Sequence, residues 1–136
     1  MENILINPET LEVRLIDFGC GDFLNDTSYT SFAGTREYCP PEYLMTGEYH
    51  GEPATVWSLG ILLFALMCGD FPNIQDLKKI NNNTWAKDGL SEGNNQTSLS
   101  SSCDMIRCCL QIDPKQRTEL EKLSLHNWIK NADMKK

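Results

Sequence analysis

From Pro53 to Gly69 the chain is apolar on nearly every face: Val56, Trp57, Leu59, Ile61, Leu62, Leu63, Phe64, Leu66 and Met67 leave no polar stripe to turn toward water. Proline is tolerated in the first turn of a helix because its missing N–H has no partner there, and glycine closes helices through a left-handed cap. The segment is therefore predicted to be one helix, and a helix greasy all round belongs in the middle of a domain. Its longest apolar stretch, Leu59 to Cys68, is interrupted by Gly60 and falls short of the ~20 residues of a bilayer crossing, so a buried helix is expected, not an anchor. At 136 residues the chain can bury one such core, and one domain is expected.

Ile4-Leu5-Ile6 and Val13-Arg14-Leu15-Ile16 are short β-rich runs around Asn7-Pro8-Glu9-Thr10, which reads as a hairpin and its turn. From Gly19 to Cys39 no period is sustained and a long loop is expected; loops of that length in compact domains are usually functional. Gln75 to Ile80 predicts a brief helix that stops at Asn81-Asn82-Asn83. Residues 81–102, rich in Asn, Ser and Gly, read as a poorly ordered polar insertion. Helical spacing returns with Met105, Ile106, Cys109 and Leu110, then with Leu120, Leu123, Leu125, Trp128 and Ile129, the two helices being linked by Asp113 to Arg117. Residues 131–136 read as a frayed tail. The fold class expected is mostly α with a small β-hairpin.

The net charge of −7 is spread along the chain with no tail or block, which argues against nucleic acid and suits a basic peptide. The six cysteines form no Cys-x-x-Cys pair and have no matching histidine spacing, so the pattern predicts no zinc site. No basic and apolar leader follows Met1, and reduced thiols in a cytoplasmic protein, with the nucleus also open to it, are expected.

Two runs carry chemistry. Asp17-Phe18-Gly19 offers a carboxylate, and Gly34-Thr35-Arg36-Glu37-Tyr38-Cys39-Pro40-Pro41-Glu42 follows at a workable distance. Phosphoryl transfer asks a protein mainly for position and charge neutralisation, hence for hard oxygen ligands to Mg²⁺ beside a nucleotide pocket. Asp17 and the Asn3 amide are two such ligands, and a hairpin would bring them to one end. Taken alone, Asp17 would serve equally well as a turn aspartate capping the Gly19 to Gly21 bend.

These runs, with Val56-Trp57-Ser58-Leu59-Gly60, Cys109-Leu110, Pro114, Arg117 and His126-Asn127-Trp128, resemble the C-terminal lobe of eukaryotic protein kinases, one part of an α+β two-lobed fold. Through Glu2-Asn3-Ile4-Leu5-Ile6, Tyr49-His50-Gly51 and Cys68-Gly69-Asp70 the resemblance is to the PIM group of serine/threonine kinases. It implies a partial kinase domain over 1–130 with an activation segment at 17–42. Asn3 and Asp17 would hold Mg²⁺, Asp17 bridging it to the phosphates of ATP, with Leu5 and Ile16 on the apolar floor beneath the adenine. Thr35 would touch the catalytic base, as in enzymes that modify Ser and Thr. Glu42 would form a buried ion pair with Arg117, and Glu2, Asp70 and Asp76 would read Arg or Lys in the substrate peptide. Thr27, Ser28, Tyr29, Thr30 and Ser31 are hydroxyls of the activation segment.

Thr55 stands where most kinases carry Asp, a gap shared with the PIM group, and Arg117-Thr118 stands where Arg-Pro is usual. No Gly-x-Gly-x-x-Gly loop, Val-Ala-x-Lys strand or His-Arg-Asp triplet precedes Asn3. The expectation is a monomeric serine/threonine kinase lobe acting on basic peptides with ATP and Mg²⁺, inactive as these residues alone and without a membrane partner. The alternative is an inert binding module that docks basic peptides or a partner lobe.

Overall fold

The computed structural model describes residues 1–86 and 96–133; the expected loop over 87–95 and the tail over 134–136 lie outside the described residues. Strands β1 (Ile4–Ile6) and β2 (Val13–Leu15) pair antiparallel, with Ile4 opposite Leu15, Leu5 opposite Arg14 and Ile6 opposite Val13. The turn is built by Asn7, whose side-chain oxygen accepts the N–H groups of Glu9 (2.9 Å) and Thr10 (3.2 Å). This is the local hydrogen bonding that makes Asn a turn former.

Helix α1 (Pro41–Thr46) follows a single 3-10 turn at Arg36–Tyr38, and α2 runs over Gly51–Cys68. Gly69 caps α2 at φ 79°, its N–H donating to the Ala65 carbonyl at 2.9 Å, a conformation that glycine adopts without a Cβ clash. Helix α3 (Ile74–Asn81) opens with a capping box: Asn73 accepts from Gln75 and Asp76 N–H groups, and the Asp76 carboxylate accepts from Asn73 N–H at 2.9 Å. Helix α4 (Gln96–Cys109), 3-10 turns at Pro114–Gln116 and Leu120–Leu125, and α5 (Asn127–Asp133) complete the chain.

The core forms where α2 crosses α4. Trp57, Ile61 and Phe64 pack with Ile80, Trp85, Ile106 and Leu110, and a second cluster joins Val56 to Met105, Cys109 and Leu123. The close approach is set at Gly60, where an added Cβ would lie 2.6 Å from the Cys109 Cβ and 2.7 Å from the Leu110 Cδ2.

Four expectations are corrected. First, α2 is not enclosed, although with 18 residues and a mean hydropathy of 1.5 it is, by length and composition alone, long and apolar enough to cross a membrane. It buries the stripe Val56, Trp57, Gly60, Ile61, Phe64 and Ala65, while Leu66 is 63% exposed and Leu59 39%. Second, the polar stretch 81–102 is not loop throughout: α4 starts at Gln96, and Trp85 is buried with its ring 5.2 Å from that of Phe64. Asn81 ties this region down by donating to the Leu77 and Leu110 carbonyls and accepting from Ile112 N–H. Third, the single helix expected over 120–129 is a 3-10 segment followed by α5, and α5 continues to Asp133 into the expected tail. Fourth, the elements expected between the hairpin and α2 are incomplete, because α1 lies in a stretch to which no element is assigned from the sequence.

Candidate active site

The hairpin ladder extends one rung past Ile4 and Leu15, because Ile16 N–H donates to the Asn3 carbonyl at 3.0 Å. Position 3 is thereby fixed beside position 16, one residue ahead of Asp17. Asp17 itself sits at φ 59°. A short polar side chain tolerates this left-handed region, at a cost on the order of 1–3 kcal/mol, and such strain clusters at functional sites. Its Oδ1 accepts Gly19 N–H at 3.2 Å, so the turn-capping role is present as well.

Asn3 and Asp17 line one cavity of about 530 Å³, together with Glu2, Thr35, Leu59 and Leu62. Thr35 starts the 3-10 turn, but its side chain makes no capping bond there. It also lines an adjoining cavity of about 480 Å³ with Tyr29, Phe32, Tyr49 and Leu120. The donor set fits Mg²⁺, which prefers hard oxygen ligands, here one carboxylate and one amide oxygen. Among the described residues no lysine or arginine lines the larger cavity.

Leu5 and Ile16 are not brought into that cavity. Leu5 is 53% exposed and lines a separate hollow with Pro8, Glu12 and Arg14, and Ile16 is 40% exposed. Of the three acids assigned to peptide reading, Glu2 is exposed at the cavity wall. Asp70 is exposed beside it, accepting the N–H of Phe71, another wall residue, at 2.7 Å. Asp76 has the structural duty already described, closing the cap of α3.

Residues 23–32 are held by aromatic contacts. Tyr29 and Tyr49 exchange backbone hydrogen bonds (2.7 and 3.1 Å) and stack at 5.4 Å. The Tyr29 hydroxyl donates to the Phe23 carbonyl at 2.5 Å and accepts from Asn25 N–H at 2.8 Å, while the Tyr49 hydroxyl donates to the Ser31 carbonyl at 3.0 Å. Phe32 packs on Tyr43 and Tyr49. Burial, then the neighbouring Tyr29 and Asp22, pushes the Tyr49 phenol up from its ordinary value.

The segment's far end is anchored by Glu42. Arg117 Nη1 donates to Glu42 Oε1 at 2.8 Å and Nη2 to Oε2 at 2.6 Å, both residues being buried. The rest of the guanidinium is used too: Nε donates to the Gln111 carbonyl (2.8 Å), Nη1 to that of Pro53 (3.0 Å), and the group lies 4.9 Å over the Trp57 ring.

Sequence reasoning missed the cavity's apolar wall. Leu59 and Leu62 read as core, although the apolar excess of α2 over what a single packed stripe needs was the available signal. Tyr38 and Phe71, which meet edge to face at 5.6 Å in the same wall, gave none.

The chain matches the protein kinase domain family over residues 1–129. It is 39% identical over 134 residues to the serine/threonine-protein kinase pim-2 of Danio rerio, covering 98% of this chain and 40% of that protein. It is 38% identical over 136 residues to the serine/threonine-protein kinase prk-2 of Caenorhabditis elegans, covering 98% and 29%. It is 33% identical over 135 residues to the testis-specific serine/threonine-protein kinase 5 of Mus musculus, covering 97% and 35%. The chain thus spans 40% or less of the length of these relatives.

Proposed function

The chain belongs to the protein kinase domain family, and from that footing we propose that it is the C-terminal lobe of a PIM-like serine/threonine kinase, the half that supplies Mg²⁺ ligands and receives the peptide. One observation carries the reading: Asn3, Asp17 and Thr35, assigned separately to metal and catalytic-base contacts, line a single cavity. Asn3 and Asp17 would hold Mg²⁺, which when bound offsets the charge of the ATP phosphates. Thr35 would position the base, and the Glu42–Arg117 pair fixes the end of the segment on which Thr35 lies. Glu2 and Asp70, exposed at the cavity edge in a chain of net charge −7, would attract Arg or Lys of the substrate.

Residues 1–136 alone are expected to transfer no phosphate, since ligands for a metal orient phosphates without accepting the substrate proton. Supplying the upstream portion of the Danio rerio relative as one fused chain is expected to restore γ-phosphate transfer to an Arg-rich serine peptide, abolished by Asp17→Ala. A folded, nucleotide-binding fusion that transfers nothing overturns the reading, and transfer by residues 1–136 alone, lost with Asp17→Ala, overturns the inactivity.

The exposed acids also favour a second reading, an inert module that docks basic peptides. It requires peptide binding that weakens with salt and with Asp70→Lys; binding indifferent to both removes it.

A further inference from the structure

We propose that Asp104, Cys108 and His126 form a binding site for a divalent cation of the zinc class, where α4 meets the start of α5. Asp104 and Cys108 are four residues apart on α4 and share one face. His126 is delivered by a different element, ending the Leu120–Leu125 turn just before α5, which packs on α4. One oxygen, one sulfur and one nitrogen donor all lie within 4.8 Å of one another, and His126 Nε2 is 3.1 Å from Asp104 Oδ2. A tetrahedral ion with bonds of about 2.0 Å to oxygen and nitrogen and about 2.3 Å to sulfur holds these ligand atoms about 3.3–3.5 Å apart, so the loosest pair needs to close by at most about 1.5 Å.

The donor set selects the metal. Thiolate and imidazole favour zinc and its spectroscopic substitute cobalt over Mg²⁺ and Ca²⁺, which take oxygen. Three protein donors leave a fourth position to water, and the exposure of Asp104 provides a way in from solvent. The expectation of no zinc site rested on sequence spacing, which does not register donors brought together from separate elements.

Binding rearranges protons without moving electrons. Trp128 N–H donates to His126 Nδ1 at 3.2 Å, which leaves the ring proton on Nε2, facing Asp104. For Nε2 to ligate, that proton transfers to Nδ1 and the Trp128 contact is released. The Cys108 S–H proton passes to buffer as the sulfur–metal bond forms. Without a cation, burial and then the Asp104 charge hold the thiol protonated, Arg107 opposing weakly, and the same negative charge attracts the ion.

The test uses residues 1–136 with reductant and excess Mg²⁺, titrated with Co²⁺. The expected result is one equivalent bound, with a thiolate-to-metal charge-transfer band and the intense visible bands of tetrahedral cobalt. Cys108→Ser abolishes the charge-transfer band, and His126→Gln and Asp104→Asn each weaken binding at least about tenfold, whereas Cys20→Ser, an exposed thiol elsewhere, changes nothing. In the unsubstituted chain, stoichiometric Zn²⁺ slows alkylation of Cys108, a readout that does not depend on any variant folding. No thiolate band at stoichiometric cobalt, a band that survives Cys108→Ser, or alkylation of Cys108 at the same rate with and without Zn²⁺ overturns the proposal.

Discussion

Exchanging Glu42 for glutamine removes a charge from a buried ion pair. Arg117 has no exposed side-chain surface and makes two hydrogen bonds to the Glu42 carboxylate, at 2.8 and 2.6 Å. Hydrogen bonds to charged groups contribute roughly 1.5–3 kcal/mol each, and breaking a buried pair by removing one partner costs about 3–5 kcal/mol, because the remaining charge stays desolvated. Arg117 keeps the Gln111 and Pro53 carbonyls and the Trp57 face, which places Glu42→Gln toward the lower end, near about 3 kcal/mol. At about 4 °C per kcal/mol for a domain of this size, the melting temperature falls by about 12 °C. Urea unfolding followed by tryptophan fluorescence measures the loss, Trp57 lying against the guanidinium. A double variant, Glu42→Leu with Arg117→Met, is expected to be closer to wild type than either single change, since it leaves no orphaned charge. A Glu42→Gln loss below about 1 kcal/mol, the value of an exposed pair, or a double variant as unstable as the two singles summed, would refute the reasoning.

Asp17→Asn keeps an Oδ1 acceptor for Gly19 and a residue type at ease with positive φ, so folding stability should stay within about 0.5 kcal/mol. Mg²⁺-dependent nucleotide binding by the fused kinase should be lost; retention, measured by calorimetry, would reduce Asp17 to a turn cap. Gly60→Ala improves helix propensity by about 1 kcal/mol, but its methyl meets Cys109 and Leu110 at under 3 Å. Overpacking of about 1–3 kcal/mol or more should win, and a higher melting temperature would show that α2 and α4 do not touch there. Cys109 is buried and its thiol is pushed up from an ordinary 9.0 to about 12, chiefly by burial. The folded state then holds a proton that the unfolded state releases. That stability is complete below pH 9.0 and declines toward pH 12, at a limiting slope of about 1.4 kcal/mol per pH unit. Unfolding free energies measured across this window should fall with rising pH, less steeply in Cys109→Ala; equal slopes would deny the thiol this role.

Local signals carried the hairpin and the bounds of α2: β-branched runs around an Asn-Pro turn, a proline in the first turn and a glycine at the last position. Helix α1 was invisible because six residues hold less than two helical turns, too few for a period to register. The start of α4 was invisible for another reason. Gln96 to Ser102 is polar and serine-rich, a composition that favours turns because hydroxyls compete for backbone hydrogen bonds. Its continuation through Met105, Ile106, Cys109 and Leu110, packed on α2, carries the helix across that weak segment.

The site shows a limit of a different kind. A helix apolar on every face satisfies two structures equally: one sunk in a core, and one that packs a single stripe and turns the remainder to a cavity. Period and hydropathy are the same in both, and only the partner elements decide. Here α4 takes Gly60, Ile61 and Phe64, leaving Leu59 and Leu62 to the cavity that Asn3 and Asp17 also line. The polar side-chain pairs depend likewise on distant contacts: Glu42 meets Arg117, and His126 meets Asp104, only after the helices have packed. Asn3 and Asp17 are the exception, because one short hairpin joins them. Displacing that hairpin, for instance by Arg14→Pro, which removes an N–H from the Leu5–Arg14 pair, hydrogen-bonded by alternation from the Asn3–Ile16 rung, should therefore separate the two ligands while leaving the α2–α4 core folded. The measurable result is loss of Mg²⁺-dependent nucleotide binding in the fused kinase with unchanged urea unfolding of residues 1–136. Loss of both together would mean that the core does not stand independently of the element that builds the site.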